Sequence, residues 1–261
     1  MTNFYSELVD SLKLWRIIHL MGISQIRMRY ARSRLGQFWL IITNFIFIYA
    51  IGLVWSQIWQ NPIEEFLPHV MLGQIIFSFM SATISDSCNL LVVDSRIYKA
   101  EKRPMMISSF ANVYRQIIYL LHNIPIIIVV LLWSDVAKVD MSVHWFGFLI
   151  LGLIFLFSVS YTLSLVCARF RDLGQLVALV MQISFLLTPV MWMLDYLPVK
   201  YQKILLIFNP LAAFIEAIRS PLIGTAFPDF IVWSVSAWIT FSVITMIIAH
   251  RNLRRNTIFW I

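Results

Sequence analysis

The sequence predicts an all-α integral membrane protein with six transmembrane helices, and three observations predict it. Of the 261 residues, 60% are hydrophobic and only 13% charged, with a mean hydropathy of +0.81, which leaves too little polar surface to cover a soluble core of this size. Six apolar runs have about the 20 residues that a helix needs to cross a bilayer. The basic residues collect in alternate connections between those runs, as the positive-inside rule requires.

The runs are Phe38–Trp59, 67–93, 107–133, 144–167, 173–194 and 230–249. In the third, Arg115 sets the expected membrane part at 116–133. With six crossings, sixteen of the 20 Lys and Arg residues fall on one side, in segments 1–37 and 94–115, in the turn after the fourth run and in the tail. Lys138, Lys200, Lys203 and Arg219 fall on the other. The rich side is assigned to the cytoplasm, with both termini there. The same sorting accounts for the net charge of +7 without a nucleic-acid partner. Cys88 and Cys167 lie in apolar runs and read as small buried hydrophobes. Residues 1–36 lack the apolar core of a cleavable signal peptide.

Segment 1–36 is expected to be a cytoplasmic interfacial helix followed by a basic motif, ahead of the six-helix domain 37–261. Over residues 4–28, Leu8, Leu12, Trp15, Ile18 and Ile26 share one face at helical spacing, which suits a helix lying in the membrane interface. Packing on the end of the bundle is the alternative. The run Arg29-Tyr30-Ala31-Arg32-Ser33-Arg34 reads as a basic anchor, or as a contact for a phosphate headgroup at the inner leaflet. Gly36 permits a tight turn into the first span. The connection 94–106 carries Tyr98, Lys99, Glu101, Lys102 and Arg103, and is either a solvated loop or a docking element for a soluble partner. Its Pro104 fits a helix start.

The last third is punctuated. Asp172 is placed to cap the fifth span, and Thr188-Pro189 to end it. The outer segment 195–229 is too apolar for a solvated loop. Pro198, Pro210 and Pro221 each mark a helix start, and Gly224 a stop, so short re-entrant helices are expected between spans five and six. Glu216 and Arg219 are three apart and suit a structural clasp. Asp86 suits a polar cavity wall, a helix-packing hydrogen bond or a proton relay. The chain has no phosphate-binding loop and no metal-ligand motif, and its five histidines are scattered. No catalytic or metal site is expected.

Arg29-Tyr30-x-x-Ser33-x-Leu35-Gly36-x-x-Trp39 resembles the N-terminal signature of the permeases of polysaccharide-exporting ABC transporters, in the type-2 exporter class. Phe170-Arg171-Asp172-Leu173, followed by Gln182, Phe185 and Thr188-Pro189-Val190, resembles their fifth-span signature. Asn209-Pro210-Leu211 with Ile215-Glu216-Ala217-Ile218-Arg219 resembles their outer re-entrant region. The resemblance implies a homodimer in the inner membrane of a bacterium, exporting a lipid-linked polysaccharide such as O-antigen. It implies two copies of a separate ATPase chain that bind ATP and Mg, with no cofactor in this chain. It gives Arg29, Tyr30, Arg32 and Arg34 a role in lipid entry, and Tyr98, Lys99, Glu101, Lys102 and Arg103 a role in ATPase coupling. Asn44, Tyr49, Gln182 and Phe185 are candidates to line a channel, because a sugar chain needs flat aromatic faces and uncharged hydrogen-bonding groups. A permease for teichoic acid, capsule, lipid or drug stays open. A membrane glycosyl or acyl transferase would need clustered carboxylates or a histidine motif at one face, and none is present.

Overall fold

The computed structural model describes residues 3–31, 34, 36, 38–134, 143–225 and 230–261. Every α or 3-10 segment among them is a helix of the kind the composition demands, and no strand occurs among the described residues. Two helices precede the spans, α1 (Phe4–Lys13) and α2 (Trp15–Tyr30). The first two spans are α3 (Phe38–Trp59) and α4 (Ile63–Ser87). Two short helices, α5 (Leu90–Val93) and α6 (Ser95–Ala100), lead to a third span in two pieces, α7 (Met106–His122) and α8 (Ile124–Trp133). Then come α9 (Val143–Arg169) and α10 (Leu173–Leu187), the bent pair α11 (Val199–Phe208) and α12 (Pro210–Ile223), and α13 (Phe230–Leu253).

The chain is a multi-pass membrane protein: five helical segments, in α3, α4, α7–α8, α9 and α13, are long and apolar enough to cross, α10 is a shorter apolar helix, and the α11–α12 pair is bent by 110°, the geometry of a re-entrant loop or a broken span. At one end, the basic end, α1 meets the 94–106 connection and the tail through Glu7, whose carboxylate accepts from Met105 N at 2.9 Å and Arg254 Nε at 2.8 Å. The turn after α9 joins the same end, where Arg169 Cζ lies 5.3 Å from the Trp260 ring centroid. At the opposite end Trp59 stacks on Tyr196 and Trp145 Nε1 donates to Ile218 O.

The centre is α4. Its sequence is apolar around most of its circumference, and 72% of its span window is buried against 17% for α3. It packs against α3, α7, α9, α10 and α12. The second span begins at Ile63 rather than 67 and breaks at Cys88–Asn89. Cys88 and Cys167 are buried free thiols, as small apolar side chains would be.

The third span is helical from Met106, and Arg115 lies within it, paired with Asp86. Three expectations change. The N-terminal face is split at Leu14 (φ −89°, ψ 27°): Ile18 and Ile26 are buried, Ile18 in a cluster with Ile107 and Ala111, while Leu12 and Trp15 are exposed. The segment therefore packs on the bundle with one side and offers apolar side chains to its surroundings with the other. Asp172 makes no side-chain cap, since its αR backbone (φ −67°, ψ −21°) belongs to the turn and only its carbonyl reaches Gln175 N, at 3.1 Å. Pro221 lies inside α12 rather than starting a helix, for a proline in the last turn forfeits one backbone bond and the helix runs on to Gly224 (φ 71°). The other punctuation is as read. Pro198 precedes α11, Pro210 opens α12 behind the Asn209 cap, and Gly36 takes a positive φ of 54°.

The fifth span is short. Its 15 residues reach about 22 Å, less than the ~30 Å of a hydrocarbon core. Thr188 leaves the helix with extended backbone (φ −86°, ψ 140°) ahead of Pro189.

Candidate functional site

Three places in the bundle combine charge, polarity and access. The first is a pocket of about 340 Å³ at the basic end. Helical spacing builds it: Gln25, Met28 and Arg29 from the end of α2, Asp86 from the end of α4, and Arg115 and Tyr119 one turn apart on α7. Asn89, Leu90, Val93 and Asp94 close the remaining wall. Arg115 Nη2 donates to Asp86 Oδ2 and to Asn112 Oδ1, both at 2.8 Å, and Nη1 donates to Gln25 Oε1. Gln116 Nε2 also donates to Asp86 Oδ2, at 2.8 Å. Asp86 is thus an ion-pair partner, which its position on a polar stretch of α4 left undecided. Arg29 Cζ sits 5.6 Å from the Tyr119 ring centroid. A smaller cavity of about 150 Å³ continues from Arg29 and Tyr119 into the bundle, past Ser78, Gln116 and Asn123 to Asn44. Of the other basic-motif residues, Tyr30 is half-buried beside Arg29, Arg34 is exposed, and Arg32 lies outside the described residues.

The second place is α6 and the residues after it. Lys99, Glu101 and Lys102 are exposed, and Arg103 Nε donates to Glu101 Oε2 at 2.6 Å. Tyr98 is different. It is buried, and its hydroxyl lies 2.6 Å from Ser108 Oγ, which donates to Asp94 Oδ2 at 2.6 Å. Burial pushes the Asp94 carboxyl and the Tyr98 phenol above their ordinary pKa values. Four of the five residues assigned to coupling are at or near the surface, and the fifth ties α6 to the start of α7.

The third place is the opposite end with the spans that lead to it. Tyr49 is exposed and stacks on Phe45 (centroids 6.0 Å apart). Trp55 stacks on Trp59, and Trp59 on Tyr196 at 4.5 Å, with Asn61 Nδ2 donating to the Tyr196 hydroxyl. The signal for these stacks was the i, i+4 spacing of Phe45 with Tyr49 and of Trp55 with Trp59; Tyr196 could not be paired with the second from sequence. Gln182 is exposed, whereas Phe185 is half-buried and packs against Phe77 at 5.1 Å. Asn44 Nδ2 donates to Asn123 Oδ1 at 2.8 Å, inside the bundle. No hydrogen bond or ring contact joins Asn44 or Tyr49 to Gln182 or Phe185 among the described residues.

A clasp fixes the broken end of the fifth span. Arg219 is fully buried; Nη2 donates to Glu216 Oε2 and Nη1 to Pro189 O at 2.8 Å. Ser220 Oγ donates to Glu216 Oε1 at 2.7 Å, Asn209 Nδ2 to Thr188 Oγ1 at 2.9 Å, and His69 Nε2 lies 3.1 Å from Trp192 O. The sequence offers Glu216 and Arg219 as a pair but not the Pro189 carbonyl, which belongs to another span. Gly73 admits this arrangement: a Cβ there would lie 3.0 Å from Arg219 Nη1 and 3.3 Å from Val190 Cα and O. Gly73→Ala is therefore expected to lower stability by ~1–3 kcal/mol, read as a fall in Tm. Gly152→Ala, whose Cβ would first meet Phe214 Cδ1 at 3.6 Å, should be tolerated.

The comparisons with known proteins fall on this same frame. The family model described as ABC-2 type transporter matches residues 18–223, from α2 through α12. The chain belongs to the ABC-2 type transporter family. Two relatives, both O-antigen export system permease protein RfbA of Klebsiella pneumoniae, are each 24% identical over 210 residues, covering 79% of this chain and 80% of theirs. This ABC-2 chain is the membrane-spanning permease of an exporter, and membership implies association with an ATPase subunit. All three places described above, apart from the tail and α1, lie within the matched region.

Proposed function

We propose that this permease exports a lipid-linked polysaccharide of the O-antigen kind across the inner membrane of a bacterium. It acts as a homodimer, with both termini and the basic end in the cytoplasm. ATP and Mg are bound by two copies of the ATPase subunit, and this chain carries no cofactor. In this reading Arg29, Tyr30, Arg32 and Arg34 receive the headgroup, and Tyr98, Lys99, Glu101, Lys102 and Arg103 form the coupling element. Asn44, Tyr49, Gln182 and Phe185 belong to the transport path.

The observation that carries the reading is two aromatic stacks on α3, Phe45 on Tyr49 and Trp55 on Trp59, the second continued by Tyr196 at the opposite end; Phe45, Tyr49 and Trp59 are exposed on the surface of the span. Flat faces in series bind the C–H surfaces of sugars without trapping them as charges would. The names of the two Klebsiella relatives support the same substrate class. The test is ATP hydrolysis and glycan transfer by the permease–ATPase complex in proteoliposomes. A lipid-linked oligosaccharide is expected to stimulate hydrolysis and to cross, while the same lipid without sugar does not. Trp59→Ala with Tyr196→Ala should slow glycan transfer and leave hydrolysis intact. Equal stimulation by the bare lipid, or unchanged transfer in the double variant, would remove the polysaccharide reading.

A further inference from the structure

The pocket at the basic end contains two arginines, and one of them already holds a carboxylate. Arg115 is paired with Asp86 at 2.8 Å, while Arg29 lies across the pocket against the Tyr119 ring. The two partners of the ion pair are unequally covered: the Arg115 side chain is 14% exposed and that of Asp86 43%. Arg115 is held independently by Asn112 Oδ1 and Gln25 Oε1, so it stays in place when its carboxylate leaves. The more exposed Asp86 leaves by a change of rotamer that gives up Arg115 and the Gln116 Nε2 donor. We propose that Asp86 is a resident counter-anion that makes the pocket select doubly charged headgroups: a pyrophosphate displaces it and bridges Arg115 to Arg29, and a singly charged phosphodiester does not.

The argument is one of exchange. An intramolecular carboxylate competes at high effective concentration. A phosphodiester with one negative charge replaces one charge-assisted hydrogen-bond acceptor by another and gains nothing. A pyrophosphate linking lipid to sugar keeps a charge on each phosphorus, so it satisfies Arg115 and adds Arg29. Asp94 also lines the pocket, buried and accepting from Ser108 at 2.6 Å. The device answers a problem that every inner-leaflet site faces, since ordinary anionic phospholipids are abundant there. It rests on the lipid-linked substrate reading above.

The experiment is a binding measurement on the permease–ATPase complex in phosphatidylcholine nanodiscs. The probe is a polyprenyl-pyrophosphoryl monosaccharide and the competitor phosphatidylglycerol. The wild type is expected to bind the probe and to resist the competitor. Asp86→Asn, which keeps an acceptor for Gln116, should bind the probe about tenfold more tightly and become sensitive to phosphatidylglycerol. Asp86→Glu should keep the resistance, and Arg115→Gln should lose the preference for pyrophosphate. Unchanged selectivity or weaker probe binding in Asp86→Asn, with Tm retained, would make Asp86 a support for Arg115 and overturn the proposal. Should Asp86→Asn fail to fold, wild-type selectivity in Arg115→Gln overturns it instead. Absence of probe binding by the wild type would bring down the substrate reading and this inference with it, which separates the two failures.

Discussion

Arg219→Leu is expected to produce the largest loss of stability of any single substitution in the fold. Arg219 has no exposed surface and lies against Glu216, which is 8% exposed. Removing the guanidinium leaves that carboxylate buried with the Ser220 hydroxyl as its remaining partner, a change of the kind that costs about 3–5 kcal/mol. It also strips the Pro189 carbonyl of its donor, worth about 1–3 kcal/mol when the group stays buried. The double variant Glu216→Leu with Arg219→Leu separates these contributions. Replacing a whole buried ion pair by apolar side chains is often neutral, so the double variant should recover most of the charge penalty and keep the Pro189 deficit. Thermal unfolding of both variants in detergent or nanodiscs gives the answer. If the double variant is no more stable than the single, the damage lies in the released end of the fifth span and not in the stranded charge. In that case the thiol introduced by Trp192→Cys should be labelled faster in both variants alike.

The spans were legible because membrane hydropathy is a strong, local signal that needs no knowledge of neighbours. The same holds for Pro198, Pro210 and Gly224, whose effects on the backbone are confined to their own turn. What single-sequence reasoning lacks is the partner across the bundle. Arg115 reads as a boundary marker until Asp86, 29 residues away, is found beside it. Gly73 carries no sequence signal for its role, because that role is the space left for Arg219 and Val190. Asp172 was readable as a cap from residue type alone, but capping also needs an extended backbone at that residue, and the turn imposes αR. Arg29 and the charged run 99–103 stood out because charge is scarce in this chain. Tyr119 and Gln25, which complete the pocket around Arg29, did not, since buried and half-buried polar residues are common at helix contacts. The two stacks on α3 were half visible: their i, i+4 spacing is in the sequence, while the continuation of the second to Tyr196 depends on a distant segment.

Charge reversal at Lys99 and Lys102 is expected to abolish stable association with the ATPase while leaving the permease folded. Both side chains are exposed, at and just beyond the end of α6. The helix beneath them is secured from inside, by the Tyr98, Ser108 and Asp94 group and by Glu7, which receives Met105 N and Arg254 Nε. Exposed substitutions away from such supports change stability by no more than about 0.5 kcal/mol. At a docking surface the same change opposes the partner's charges, and like-charge juxtaposition costs several kcal/mol, so binding should weaken by about a hundredfold or more. Tyr98→Phe is the complementary variant. It keeps the surface and deletes one buried hydroxyl, which should lower stability by about 1–2 kcal/mol and spare binding. Co-purification of the two subunits, with Tm of the isolated permease measured alongside, distinguishes the effects. Lys99→Glu with Lys102→Glu should lose the ATPase at unchanged Tm, and Tyr98→Phe should keep it at lowered Tm. Full retention of the ATPase by the charge-reversed variant would move the docking surface elsewhere on the basic end. There, α1, the turn after α9 and the tail already meet through Glu7, Arg254, Arg169 and Trp260.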